Sequence, residues 1–278
     1  MKDIITVFNY KWYDKHYILL RMWLHQVSQY NDANLNIKIL SEQGEPKNVS
    51  RLHRLYNFEW IVLPPRKLLG SKLLDHHNIR FKMWNLSRWS NPFVMLDVDA
   101  IPFSPLSKLV EASKDKPWIA INHQDIPKHT QNREPFLNGG VQIVSDPGAF
   151  TYEQFTSDYG TLLCPGAEQA LIFTHFRKIG YDYSHPAISY QWNACAGYTR
   201  VSKMNDTWVC VSSEQCITNP DYKSSSIPDG QLVSINHYWD EFKPWKIDCP
   251  MYDTFLKLVL DEETVIEGIS RRFMNNSS

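Results

Sequence analysis

The sequence has no cysteine pair at metal-binding spacing, no surplus of either charge and no apolar run of membrane length, and each gap removes a class of protein. Its five cysteines, Cys164, Cys195, Cys210, Cys216 and Cys249, are odd in number and include no Cys-x-x-Cys. Neither a zinc ribbon nor a disulfide framework is indicated, and a reducing compartment fits best. A formal net charge of −1 over 278 residues leaves no broad field to attract nucleic acid or anionic lipid. No apolar stretch approaches the roughly 18–20 residues of a membrane span. The N-terminal run from Ile4 to Phe8 is too short for a secretory leader and reads as a first strand. The expectation is a protein of the cytoplasm, of a host cytoplasm if the gene is viral, with no nucleic-acid partner and no membrane span. Internal repeats and low-complexity tracts are also missing.

What is present is an ordinary globular composition, 43% hydrophobic and 21% charged, enough to build one large core. Aromatic residues make up 13% of the chain, ten of them Trp, a bias that favours stacking on sugar faces as well as core packing. Apolar runs predict strands at residues 4–8, 36–40, 60–63, 92–96, 119–122, 140–144 and 232–235. Helical spacing predicts helices at 17–29, 78–89, 168–179 and 251–273. Near-continuous apolar strands alternating with helices indicate an α/β fold with a mainly parallel sheet covered on both faces. A single domain over 1–278 is expected. Residues 1–160 would form most of its nucleotide side, 161–245 an aromatic-rich acceptor side, and 246–278 a closing helix and tail.

The sharpest local signal is Phe93-Val94-Met95-Leu96-Asp97-Val98-Asp99-Ala100, an apolar strand ending in two carboxylates two positions apart. In an extended chain such positions point to the same side, so both carboxylates face one point beyond the strand end, where open α/β sheets bind ligands. Two carboxylates aimed at one point repel each other unless a cation lies between them, and hard oxygen ligands suit Mg²⁺ or Mn²⁺. The plainer alternative is a pair of solvated loop acids. An Asp-x-Asp phosphatase of the haloacid dehalogenase type, with Asp97 as nucleophile, is a further alternative.

A second signal is Ile235-Asn236-His237-Tyr238-Trp239-Asp240-Glu241-Phe242-Lys243-Pro244-Trp245. A neutral imidazole ligates Mn²⁺ well, and a lysine close behind can neutralise diphosphate oxygens. Alone, such a histidine is more often a hydrogen-bonded structural residue; the position of His237 directly after a strand, with Lys243-Pro244-Trp245 following, favours the ligand reading. Asn138-Gly139-Gly140-Val141, read alone, is a tight turn.

In this order and at these separations the segments resemble the glycogenin and bacterial lipopolysaccharide galactosyltransferase family, a group of retaining GT-A glycosyltransferases that use UDP-sugars and Mn²⁺. The resemblance covers residues 1–245 and includes Thr6-Val7-Phe8-Asn9, Tyr13, Lys82, Glu168-Gln169 and the His237 to Lys243-Pro244-Trp245 spacing. It implies a GT-A fold, a cation held by Asp97, Asp99 and His237, and donor contacts from Phe8, Asn9, Tyr13, Lys82, Val98, Gly139, Gly140 and Lys243. It further implies that Gln169 faces the sugar carbon opposite the leaving diphosphate, with Glu168 and Asn138 on sugar hydroxyls.

The implied reaction moves a hexose or pentose from a UDP-sugar to a hydroxyl of a glycan or glycoprotein. Two departures stand out: Asp240 replaces the family's glycine three residues after the histidine, and Glu168 replaces an aspartate. An inverting enzyme would need a general base, for which Glu134, Asp125, Asp182 and Asp240 are candidates. A sugar-nucleotide-binding protein without activity is the other alternative. Tyr181, Tyr183, Tyr190, Trp192 and Trp208 are candidates for the acceptor surface, and a small core is the competing reading for each.

Overall fold

The computed structural model describes residues 1–8, 13–63, 89, 91–112, 118–123, 136–144, 190–195, 199–205, 207–213 and 230–238. From the N-terminus the elements are β1 (Asp3–Val7), α1 (Tyr13–Tyr30), β2 (Asn36–Ser41), α2 (Lys47–Ser50) with a 3-10 turn at Arg51–Arg54, β3 (Glu59–Val62), β4 (Phe93–Leu96), β5 (Ala100–Pro102) and α3 (Leu106–Ala112). They continue with β6 (Trp118–His123), β7 (Phe136–Val144), a 3-10 turn at Tyr190–Trp192, β8 (Ala194–Cys195), β9 (Thr199–Met204), β10 (Thr207–Ser213) and β11 (Ile235–His237). The helices expected at 168–179 and 251–273, and that at 78–89 apart from Trp89, lie outside the described residues.

Among the described residues, six strands form the central sheet in the order β3-β2-β1-β4-β7-β6. β1 is parallel to β2 and β4, and β2 to β3. β7 is antiparallel to both its neighbours, so β6 points the same way as the other four and β7 alone is reversed. The sheet is thus mainly parallel as expected. Its one reversed strand follows from adjacency: β6 and β7 are consecutive in sequence, and an antiparallel pair needs no crossover helix.

Burial explains why these residues form strands. Every residue of β1 and of β4 is buried, including both alternating sets of side chains, so each face of the sheet is covered there. On α1, Leu20, Trp23, Leu24 and Val27 follow the i, i+3, i+4, i+7 spacing of a core-facing stripe, and all four are fully buried. Leu19 and Met22 widen that stripe. The helix starts four residues earlier than the sequence pattern indicated, at Tyr13. Among the described residues no helix is long and apolar enough to cross a membrane.

The chain lays down β2 and β3 on one side of β1 and then returns to place β4 on the other side. The strand order therefore reverses between β1 and β4, and in such sheets the carboxyl ends of the strands at that point are the usual ligand position.

Beyond β4 two smaller sheets form. β5, β11 and β8 make one in the order β5-β11-β8, with β11 antiparallel to β5 and parallel to β8. β9 and β10 form an antiparallel pair whose connection begins at Asn205, with φ of 48°, a left-handed conformation that asparagine tolerates. The strand expected at 232–235 is displaced toward the C-terminus. Leu232 makes only an isolated bridge to Val209, and the ladder begins at Ile235. Between them the backbone changes partners: Val233 donates to the Trp208 carbonyl, Ser234 donates to that of Gln191, and the Ser234 carbonyl accepts from Phe103.

Candidate metal centre

Asp97 leaves β4 directly into a turn. Its N–H donates to the Gly140 carbonyl at 2.8 Å, and its own carbonyl accepts from Ala100 N–H at 2.8 Å. The second bond closes a four-residue turn, Asp97 to Ala100, after which β5 begins. The two carboxylates are therefore brought together by a turn. The extended-chain geometry expected from the sequence does not apply, because the hydrogen bond from Ala100 bends the backbone between them. Val98 is partly buried against the core from its place in this turn.

The third member arrives through strand register. β11 pairs with β5 so that Ile235 faces Pro102, Asn236 faces Ile101 and His237 faces Ala100. One residue further on, Tyr238 N–H donates to the Asp99 carbonyl at 2.8 Å. His237 is thus the last residue of a strand hydrogen-bonded to the strand that Asp99 precedes. Its Nε2 lies 3.3 Å from Asp99 Oδ1 and 3.9 Å from Asp97 Oδ2. One ligand atom from each of the three lies within 4.8 Å of those of the others.

Exposure rises across the cluster, with side chains 4% exposed for His237, 14% for Asp99 and 26% for Asp97. The imidazole forms the floor and Asp97 the open rim. Two carboxylates and an imidazole converging at the carboxyl end of β4 match the ligand chemistry of a hard divalent cation with borderline nitrogen affinity.

One contact at the site has no signal in the sequence. Asn193, buried between the 3-10 turn and β8, brings its Oδ1 to 3.1 Å from His237 Nδ1. Trp192 and Ala194 on either side of it are buried as well. A lone Asn forty-four residues before the histidine carries no spacing signal.

The other candidate residues fall as follows. Asn138, Gly139 and Gly140 belong to β7 and do not form a tight turn, and buried Gly140 is the residue bonded to Asp97. Phe8 follows β1, donates its N–H to the Leu40 carbonyl at 2.9 Å and buries its ring edge-on to Trp60, with centroids 6.1 Å apart. Tyr13 opens α1. Asn9, Lys82, Glu168, Gln169 and Lys243 lie outside the described residues, as do Asp125, Glu134, Asp182, Asp240, Tyr181 and Tyr183.

Two aromatic residues considered for the acceptor surface are core residues. Trp192 is 4% exposed and Trp208 7%, and the Trp208 ring stacks on Phe103 with centroids 4.8 Å apart. Tyr190 begins the 3-10 turn.

No family model matches the chain, and no curated protein matches it. Solved structures do. An active-site mutant of LgtC superposes with a TM-score of 0.63 at 14% identity, over 93% of this chain and 95% of LgtC. The galactosyltransferase LgtC in complex with donor and acceptor sugar analogs gives 0.61 at 14% identity, over 92% and 94%. The glycosyltransferase GlyE of Streptococcus pneumoniae TIGR4 gives 0.58 at 15% identity, over 97% of this chain and 63% of GlyE. The chain therefore has the GT-A fold of these glycosyltransferases.

Proposed function

We propose that the chain is a metal-dependent glycosyltransferase that moves a hexose or pentose from a UDP-sugar to a hydroxyl of a glycan or glycoprotein, with retention at the sugar carbon. The observation that carries this reading is the convergence of Asp97, Asp99 and His237 at the carboxyl end of β4, where the strand order reverses. The likeness to a galactosyltransferase solved with donor and acceptor sugar analogs supports the substrate class.

The donor set fits Mn²⁺ or Mg²⁺, with Asp97 and Asp99 supplying oxygens and His237 a nitrogen. When bound, such an ion offsets the negative charge that develops on a departing diphosphate. The residues of the chain do the rest. Asp97 and Asp99 would hold that ion at the end of β4, and buried His237 closes the inner side of the site to water. In this reading Lys243 meets diphosphate oxygens, Gln169 lies against the sugar face opposite the leaving group, and Glu168 and Asn138 orient sugar hydroxyls. Phe8, Asn9, Tyr13, Lys82, Val98, Gly139 and Gly140 surround the nucleotide.

The reading is tested by incubating the protein with a panel of UDP-sugars and Mn²⁺ and measuring UDP release, with EDTA as control. Release from at least one donor, abolished by EDTA, is the expected result. No release from any donor, together with intact UDP binding, would point to a sugar-nucleotide-binding protein. Phosphate release from a phosphomonoester, lost in Asp97→Asn, would replace the proposal with phosphatase chemistry.

A further inference from the structure

Buried imidazoles hydrogen-bond through both nitrogens, and the partner of one nitrogen decides the state of the other. His237 has its Nε2 on the carboxylate side and its Nδ1 on Asn193 Oδ1 at 3.1 Å. An amide oxygen only accepts, so this contact requires the proton on Nδ1. A neutral ring so protonated presents the Nε2 lone pair to Asp97 and Asp99, and that lone pair is what a cation takes up. The opposite tautomer would place an Nε2 proton against Asp99 Oδ1, 3.3 Å away, and occupy the direction a metal needs.

We propose that Asn193 is a positioning residue that holds His237 in the Nδ1–H tautomer and thereby keeps Nε2 free to ligate a divalent cation. The inference rests on the metal-centre reading above. The fold fixes Asn193 in place from several sides. β8, which it immediately precedes, runs parallel to β11 with Ala194 opposite Asn236 and Cys195 opposite His237. Ser234 N–H donates to the Gln191 carbonyl at 2.7 Å, tying the preceding turn to the approach of β11. Asn193 and His237 are each only 3% exposed, so water does not readily replace the amide oxygen if the side chain is removed. Partners of this kind orient metal-ligating histidines, and their loss typically costs about 10–100-fold in metal affinity.

The first measurement needs no variant. Imidazole ¹⁵N spectra of the protein, with His237→Gln to assign the signal, report whether Nδ1 carries a proton. The expected spectrum has Nδ1 of His237 protonated; an unprotonated Nδ1 overturns the proposal.

The second measurement compares Asn193→Leu, which removes the acceptor, with Asn193→Asp, which keeps one, by calorimetric titration of UDP in the presence of Mn²⁺. Asn193→Leu should bind about 10–100-fold more weakly, with Asn193→Asp within about 3-fold of the wild type. Equal losses in both variants would mean that Asn193 serves packing alone, and would also overturn the proposal. Failure of the wild type to bind UDP with Mn²⁺ would instead reject the functional reading, while the imidazole spectrum would still decide whether Asn193 sets the tautomer.

Discussion

His237 stands opposite Ala100 across the antiparallel β5–β11 pair, so the turn that carries both carboxylates and the strand that carries the imidazole form one hydrogen-bonded unit. Ile235, fully buried at the start of β11, anchors that unit to the core. Ile235→Ala should lower the unfolding free energy by about 2–5 kcal/mol through lost burial and the cavity left behind. It should also weaken Mn²⁺-dependent UDP binding, because His237 lies two residues further along the same strand. Urea unfolding and calorimetry check the two parts, and unchanged stability would contradict the assignment of β11 to the core.

Trp208 is a buried core residue. Its burial against Phe103 predicts that Trp208→Ala costs about 3–5 kcal/mol in urea unfolding. Unchanged stability with a raised acceptor KM would instead return this residue to an acceptor-binding role.

A metal held by Asp97 makes stability depend on ligand. Mn²⁺ with UDP at about 100 times its Kd should stabilise the wild type by about 2.7 kcal/mol, read as a rise in Tm. EDTA should abolish the rise, and Asp97→Asn should show little or none of it. An equal rise in the variant would place the ligand elsewhere.

Away from the site, Asp32 supplies a pH-dependent contact. Burial acts to raise its pKa, but the Ser107 hydroxyl and the Ser107 N–H, 2.9 Å from Asp32 Oδ1, favour the charged form and hold the carboxyl below its ordinary value. A group lowered in the folded state stabilises above its unfolded pKa, and that contribution is lost as pH falls through the folded pKa. Asp32→Asn should therefore be slightly less stable than the wild type at neutral pH, with the gap closing below about pH 4. Because Asp32 is exposed, the effect is small. Urea midpoints between about pH 7 and pH 3 check it, and a gap independent of pH would contradict it.

The sheet was legible where burial writes itself into composition. Ile4 to Phe8 and Phe93 to Leu96 are apolar because both faces of the sheet are covered, and α1 shows its stripe for the same reason. What the sequence left hidden depends on pairing between distant segments. β5, β8 and β11 are only three, two and three residues long, too short for a period to register. Yet their register is what sets His237 against Asp99. The candidate ligands were legible as a type, two acids after an apolar strand and a histidine near its end. The reason they converge was not, because a turn bonded between Asp97 and Ala100 leaves no mark beyond ordinary residues. Asn193 was illegible for a related reason: its role comes from facing one imidazole nitrogen, and a single amide side chain among Tyr190-Gln191-Trp192-Asn193 has no pattern to betray it.

The most direct test is anomalous scattering at the manganese edge from crystals grown with Mn²⁺ and UDP. One strong peak is expected, bonded to Asp97, Asp99 and His237 Nε2, with the UDP diphosphate on its open side. A peak away from His237, or UDP bound with no metal beside these carboxylates, would contradict the proposed metal centre.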